Sequence, residues 1–91
     1  MQKETRLFKS EEKKSRAEVA EFLRQIAEKL ERGQMILKQG GQEIVLVVPA
    51  NLVLEVQVED EDKKSRGMQH SLEIEVKWFD GDEEGGPLEL G

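Results

Sequence analysis

The stretch from Ser15 to Gly33, SRAEVAEFLRQIAEKLERG, decides the first element of the fold. Its apolar residues recur at three- and four-residue spacing, as they do on one face of an amphipathic helix. They are Val19, Phe22, Leu23, Ile26, Ala27 and Leu30. Ser15 and Glu18 match the capping-box pattern at the N-terminal end, and Gly33 suits a left-handed C-terminal cap. The spacing therefore predicts a helix over about residues 16–32.

After Gly33 the period of the apolar residues changes to two, which is typical of β-strands. Residues 34–39 and 42–48 flank the pair Gly40-Gly41. Two adjacent glycines can adopt the positive φ angles of a tight primed turn, so this segment predicts a hairpin. The pairs predicted on its core face are Leu37 with Ile44 and Met35 with Leu46.

Two further segments alternate apolar and polar residues, at 52–59 and 71–79, with a polar connection at 60–70 between them. The segment before the helix, residues 3–10, predicts an edge strand. The resulting order is β-α-β-β-β-β. We therefore expect an α+β fold in which one amphipathic helix packs on one face of a mainly antiparallel sheet of four to five strands.

The chain length and composition suit one small domain. Ninety-one residues leave room for one hydrophobic core, so we expect a single α+β domain over residues 1–79, followed by a flexible, acidic, Gly-rich tail at 80–91. The sequence has no cysteine, which excludes disulfides, thiolate metal ligands and a cysteine nucleophile. No apolar run is long enough to span a membrane, and the charged N-terminus has no apolar signal segment, so we expect a cytoplasmic protein without a membrane partner.

Several of these features together resemble the amphi-Trp domain family. They are the segment Glu4–Phe8, the capped helix beginning after Ser15, Gly33, Gly40-Gly41, Pro49, and the closing run Leu72-Glu73-Ile74-Glu75-Val76-Lys77-Trp78. The resemblance covers about residues 3–79. It implies a short bacterial or archaeal protein with amphipathic alternation and a tryptophan near its end. That family has no established activity, so the resemblance implies an architecture and supplies no catalytic residues.

The side chains that could carry chemistry do not form a catalytic or metal-binding pattern. The only histidine, His70, lies at the end of the polar connection beside Ser71, and neighbouring side chains on a strand point to opposite faces, so the two do not form a catalytic pair. The acidic residues at 59–62 supply clustered hard oxygen ligands. The acidic residues of the tail match the start of a calcium-binding loop, but the twelfth position, where such a loop needs a glutamate, is Gly91. We expect no enzyme, no cofactor and no metal site.

Two basic clusters are candidate anion-binding sites, each formed around the tetrapeptide Lys-Lys-Ser-Arg. The first contains Lys13, Lys14 and Arg16, and the second contains Lys63, Lys64 and Arg66. The net charge of the chain is −6, and acids precede each cluster and would repel phosphate. A nucleic-acid-associated protein that uses these clusters is therefore the alternative to our leading hypothesis, and we consider nucleic acid an unlikely partner.

The leading hypothesis is a non-catalytic binding or assembly module that acts through the uncovered sheet face or an edge strand. That face carries more apolar residues than a solvated face requires. They are Ile36, Val45, Val47, Val53 and Phe79. We expect either an unidentified protein partner or a weak homodimer that buries Val45 and Val47. Because carboxylates would oppose their own copies across that interface, the dimer should tighten as salt rises.

Overall fold

The computed structural model of the protein describes residues 3–81. These residues form one helix, four strands and a short 3₁₀ turn. The elements are α1 (Arg16–Arg32), β1 (Gln34–Gln39), β2 (Gln42–Val47), β3 (Val53–Asp62), the turn Lys64–Arg66, and β4 (Met68–Lys77). The predicted α+β class is confirmed. The tail predicted at 80–91 lies outside the described residues from residue 82 onward.

The caps of α1 fix the helix where the sequence predicts it. The Ser15 side chain accepts a hydrogen bond from the Glu18 backbone N–H at 3.1 Å, and the Glu18 carboxylate accepts one from the Ser15 N–H at 3.1 Å. Gly33 has a φ of 79° and donates its N–H to Leu30 O at 3.1 Å. Both caps satisfy backbone groups that a helix end leaves unpaired.

The hairpin β1–β2 has the predicted register. Met35 lies opposite Leu46 and Leu37 opposite Ile44, while Ile36 pairs with Val45 on the other face. Only Gly40 of the two turn glycines has a positive φ, 60°, as the first central residue of a type II′ hairpin turn does.

The hairpin β3–β4 is longer than the alternating pattern predicts. Its strands have ten residues each and continue through the polar segment, where Asp60 pairs with His70 and Asp62 with Met68. The predicted connection at 60–70 is thereby reduced to a tight turn. Hydrogen bonds close this turn, from Lys63 N–H to Gly67 O at 2.9 Å and from Lys64 N–H to Asp62 Oδ1 at 2.8 Å. Polar side chains are compatible with strands here, because the exposed residues of an antiparallel hairpin can be solvated by water.

The sheet arrangement differs from the prediction of one sheet with four to five strands. The described residues contain two separate two-stranded antiparallel sheets, β1–β2 and β3–β4. The chain divides into two compact units, one within Met1–Val48, the helix unit, and one within Pro49–Gly91, the hairpin unit.

The predicted N-terminal edge strand does not form, since residues 3–15 contain no strand in the structure. Side chains hold this segment in the helix unit instead of a backbone ladder. Gln42 Nε2 donates to Leu7 O at 2.8 Å, and Gln39 Nε2 donates to Glu12 Oε1 at 3.2 Å. A pattern of alternating residues does not reveal such side-chain contacts to a hairpin turn.

The core of the helix unit is small and lies on the inner face of β1–β2. Met35 and Val48 are each only 7% exposed, and Leu37, Ile44 and Leu46 are half-buried. Gly33, the residue after α1, accepts a hydrogen bond at its carbonyl oxygen from the backbone N–H of Val48, the residue after β2, at 2.8 Å. No residue of α1 is fully buried, although Ile26 and Leu30 are half-buried.

Candidate functional site

An exposed apolar surface lies on one side of the hairpin β3–β4. Three cross-strand pairs form this surface, which we call the hairpin face. They are Leu54 with Val76, Val56 with Ile74, and Val58 with Leu72. Val76 is half-buried, and the other five side chains are 56% to 75% exposed. The alternation predicts these residues as core, but in the structure they face solvent.

The hairpin face has no charged residue, and its boundary at the turn end is a polar pair. Asp60 and His70 follow the pair Val58–Leu72 on the same side, with His70 Nδ1 2.6 Å from Asp60 Oδ1. Both side chains are well exposed. At the other end Trp78, which directly follows β4, is half-buried. The three apolar pairs of the hairpin face therefore lie between the polar pair Asp60–His70 at the turn end and Trp78 at the other end.

The opposite side of the same hairpin is charged. Lys77 Nζ lies 3.1 Å from Glu55 Oε1 and 3.8 Å from Glu75 Oε1. The hydrogen bond and the charge of Glu55 raise the pKa of Lys77 above its ordinary value, with a smaller contribution from Glu75. Val53, paired with Lys77, is the apolar exception on this side and is 57% exposed.

The open face of β1–β2 brings together three of the five predicted interaction residues. Ile36 lies opposite Val45, Val47 follows two positions along β2, and all three are about half exposed. The neighbouring pair Lys38–Glu43 on this face is joined by a 3.9 Å ion pair. The other two predicted residues, Val53 and Phe79, belong to the hairpin unit, and both are exposed.

A groove of about 780 Å³ is present in the helix unit between the N-terminal segment, α1 and β1. Phe8, Val19, Phe22 and Leu37 provide its apolar lining. The polar residues that line it are Lys9, Ser10, Glu12, Lys14, Glu18, Glu21 and Gln25. Sequence reasoning missed this groove because it assigned the N-terminal segment to a strand. Phe22 was predicted to be core, but it is 54% exposed.

Acids beside each basic cluster partly neutralise it. Lys14 Nζ lies 3.1 Å from Glu12, and Lys63 Nζ lies 3.0 Å from Glu61. The hydrogen bond and charge of Glu12 raise the pKa of Lys14. Arg16 begins α1, and Lys64 and Arg66 lie in the β3–β4 turn. The structure places one cluster in each unit.

The described residues show no arrangement suited to holding a metal ion. No group of three or more His, Asp or Glu side chains converges within residues 3–81. The tail acids from residue 82 onward lie outside the described residues. In the same part of the chain, no helix has the length and apolar character needed to cross a membrane.

Comparison with protein families identifies the chain from its whole length. The family model described as the Amphi-Trp domain matches residues 1–91. The chain belongs to the Amphi-Trp domain family. Searches of curated proteins and of solved structures give no match. The resemblance seen in the sequence is thus confirmed and extends beyond residues 3–79.

Amphi-Trp membership makes the hairpin face more informative, because the amphipathic run that carries the resemblance forms half of it. Leu72, Ile74 and Val76 are the apolar members of that run, and they lie on one side of β4. The alternation of β3 and β4 was the signal that predicted which side is apolar. It could not show whether another layer covers that side.

Proposed function

We propose that this Amphi-Trp domain is a non-catalytic binding or assembly module that works through its exposed strand faces. The observation that supports the proposal is the hairpin face, where five large apolar side chains of two adjacent strands are more than half exposed. Exposed apolar residues are common singly on protein surfaces, but a contiguous set indicates an interaction site.

The stability of a two-stranded hairpin supports the same proposal. A hairpin with no second layer is marginally stable in water, because its ladder alone hardly offsets the conformational entropy lost on ordering the strands. The pair Val56–Ile74 at the centre of the hairpin face would contribute more to stability if a partner covered it, because its apolar surface would then be removed from water. Binding would therefore strengthen the hairpin as well as bury its apolar side.

The open face of β1–β2 is a second, smaller contact surface in this proposal. Ile36, Val45 and Val47 supply its apolar part, and Val53 and Phe79 extend the apolar surface available on the hairpin unit. Within the described part of the chain, each sheet has only two strands. Every strand therefore has one edge whose backbone groups are not paired within its sheet, and a strand of a partner could be added there.

Two alternatives, a continuous sheet and a nucleic-acid-binding function, are less well supported. In a continuous sheet of four or five strands, as the sequence pattern predicts, the chain itself would cover the hairpin face. Nucleic-acid binding through the basic clusters is disfavoured because Lys14 and Lys63 each have a glutamate partner.

Site-specific photocrosslinking in cells that express the protein tests the proposal. A photoreactive aromatic residue at Val56 lies on the hairpin face, and the same residue at the adjacent Gln57 lies on the charged side of β3. We expect cross-links to protein from position 56 and few from position 57, since neighbouring strand residues point to opposite sides. Equal cross-linking from both positions, or none from either, would contradict a working surface on this face.

A further inference from the structure

We propose that the partner of the hairpin face is the hairpin face of a second copy, so that two β3–β4 hairpins pack as a two-fold sandwich. This inference rests on the proposed function and names its partner. It also relocates the dimer contact that the sequence predicts, from Val45 and Val47 on β2 to the other unit of the chain.

Charge is the first argument for a second copy. Two chains that each carry a net charge of −6 repel one another, so a surface that brings few carboxylates together is favoured for their association. The six residues of the hairpin face have no charge. On the charged side of the same hairpin, Glu55 lies directly opposite Glu75, and self-contact there would add further carboxylates.

The open face of β1–β2 is less suitable for self-contact by the same criterion. Its apolar residues stand beside Lys38 and Glu43, whose ion pair is 3.9 Å long and exposed. Burying this pair in a symmetric contact would cost desolvation of four charged groups. The hairpin face therefore offers the contact without that penalty.

The shape of the hairpin face also suits a symmetric contact. A two-fold axis brings the same patch of both copies together, and sheets pack about 10 Å apart with interdigitating side chains. The three cross-strand pairs are branched aliphatic side chains, with Val56–Ile74 at the centre. The axis would pass near that central pair, and the polar pair Asp60–His70 would lie at the margin of the contact.

The area of the face predicts a dimer that dissociates on dilution. Strands of ten residues at about 3.4 Å per residue give a hairpin roughly 34 Å long and about 10 Å wide. The apolar pairs cover only part of that length. The area of the hairpin face is therefore well below the roughly 800 Å² per partner that standard stable interfaces bury. We therefore expect monomer and dimer to exchange, and hydrogen-exchange protection of β3 and β4 to rise with protein concentration.

Sedimentation velocity over a wide range of protein concentration tests the inference on the full chain. Val56→Lys and Gln57→Lys are a matched pair, since each adds one positive charge to β3 but only the first places it on the hairpin face. We expect the dissociation constant of the dimer to rise by about tenfold or more in Val56→Lys, and to stay within about twofold of the wild type in Gln57→Lys. The second variant also lowers the net negative charge, which controls for general repulsion.

Val56→Thr is a second variant that weakens the contact while keeping the hairpin, in case Val56→Lys prevents the hairpin from forming. Threonine is β-branched and suits a strand, yet its hydroxyl is costly to bury without a partner. We expect weaker dimerisation with an unchanged far-ultraviolet circular dichroism spectrum. Dimerisation as strong as that of the wild type in Val56→Thr, or equal weakening in Val56→Lys and Gln57→Lys, would overturn the hairpin contact.

The two proposals fail in different ways. A wild-type chain that remains monomeric at every concentration overturns the self-association. If position 56 then still cross-links to another protein in cells, the binding function stands with a different partner. If position 56 cross-links to nothing, both proposals fail. A monomer whose β3 and β4 amides are strongly protected at all concentrations would show that its own chain covers the face.

Discussion

The helix unit and the hairpin unit carry the same alternation of apolar and polar residues, but only the first has a fully buried residue in its strands. Met35 on β1 is 7% exposed. Leu54 on β3, which the alternation equally predicts to be a core residue, is 65% exposed. The difference is the presence of α1, which packs against β1. Alternation determines which side of a strand is apolar, and burial additionally requires a second layer.

The stabilising contacts of the two units differ accordingly. In the helix unit, caps at Ser15 and Gly33 and a small core fix the structure. In the hairpin unit, the described contacts are the backbone ladder and exposed polar pairs such as Lys77–Glu55. Exposed ion pairs contribute little to stability, because water and salt screen them. We therefore expect the helix unit to be sensitive to substitution and the hairpin unit to be sensitive to its environment.

Two methionine substitutions give the largest expected contrast between the units. Met35→Ala should lower the free energy of unfolding of the helix unit by about 2–5 kcal/mol, because it removes a buried side chain and leaves a cavity. Met68→Ala, at a 55% exposed position beyond the hairpin face, should change the stability of the hairpin by no more than about 0.5 kcal/mol. Urea titration with peptide-resolved hydrogen exchange reads each unit separately. Similar losses for both would remove the contrast.

Two glycines of the helix unit separate backbone strain from crowding. Gly33→Ala should cost about 1–2 kcal/mol, since φ is 79° and the added Cβ would lie 3.3 Å from Val48 O. Gly40→Ala shares the positive φ but meets no atom within 4 Å, so it should cost about 1 kcal/mol from strain alone. Urea unfolding followed by circular dichroism measures both. A larger loss of stability in Gly40→Ala than in Gly33→Ala would show that the contact with Val48 O is unimportant.

The N-cap of α1 should make a smaller contribution to the free energy of unfolding. Ser15→Ala should cost about 1 kcal/mol, because it leaves the Glu18 N–H without its acceptor. Ser10→Ala is the control, since the Ser10 hydroxyl makes only a long 3.5 Å bond to Glu12. If the two alanine variants unfold at the same urea concentration, the capping box does not stabilise the helix in this protein.

The pH dependence of stability should affect the two units on opposite sides of neutrality, with the smallest effect of the set. The Ser15 backbone N–H and hydroxyl, helped by Lys14, lower the pKa of Glu18 below its ordinary 4.5. Its contribution to the helix unit is therefore present above that value and lost as pH falls through the folded-state pKa. Glu18→Gln should therefore reduce the fall in the free energy of unfolding of the helix unit as pH is lowered, which is the acid limb of its pH dependence.

Lys77 gives the corresponding alkaline limb in the hairpin unit. Its pKa is raised above its ordinary 10.5 by Glu55, so its contribution is fully present below that value and lost as pH rises through the folded-state pKa. Lys77→Met should flatten this limb and leave the acid limb unchanged. Urea unfolding measured across pH, with each unit followed separately, checks both signs. An acid limb that disappears in Lys77→Met would show that the two units do not respond independently.

Local sequence signals determined most of the elements of this protein. Ser15, Glu18 and Gly33 set the ends of α1, because capping depends on hydrogen bonds between residues only a few positions apart. Gly40-Gly41 set the register of β1–β2, since a two-residue turn leaves one way to pair the flanking strands. The same alternation correctly placed Ile36, Val45 and Val47 together on the open face.

Only the tertiary structure decided which of these elements lie beside each other. The N-terminal segment is held by Gln39 and Gln42 side chains rather than by a strand ladder, and this arrangement also forms the groove lined by Phe22. The four strands form two sheets, and the hairpin face is exposed. Periodicity is a property of one element, whereas pairing and burial depend on contacts between residues distant in sequence. The sequence by itself therefore determined which side of each strand is apolar, and the tertiary structure decided which of those sides face solvent.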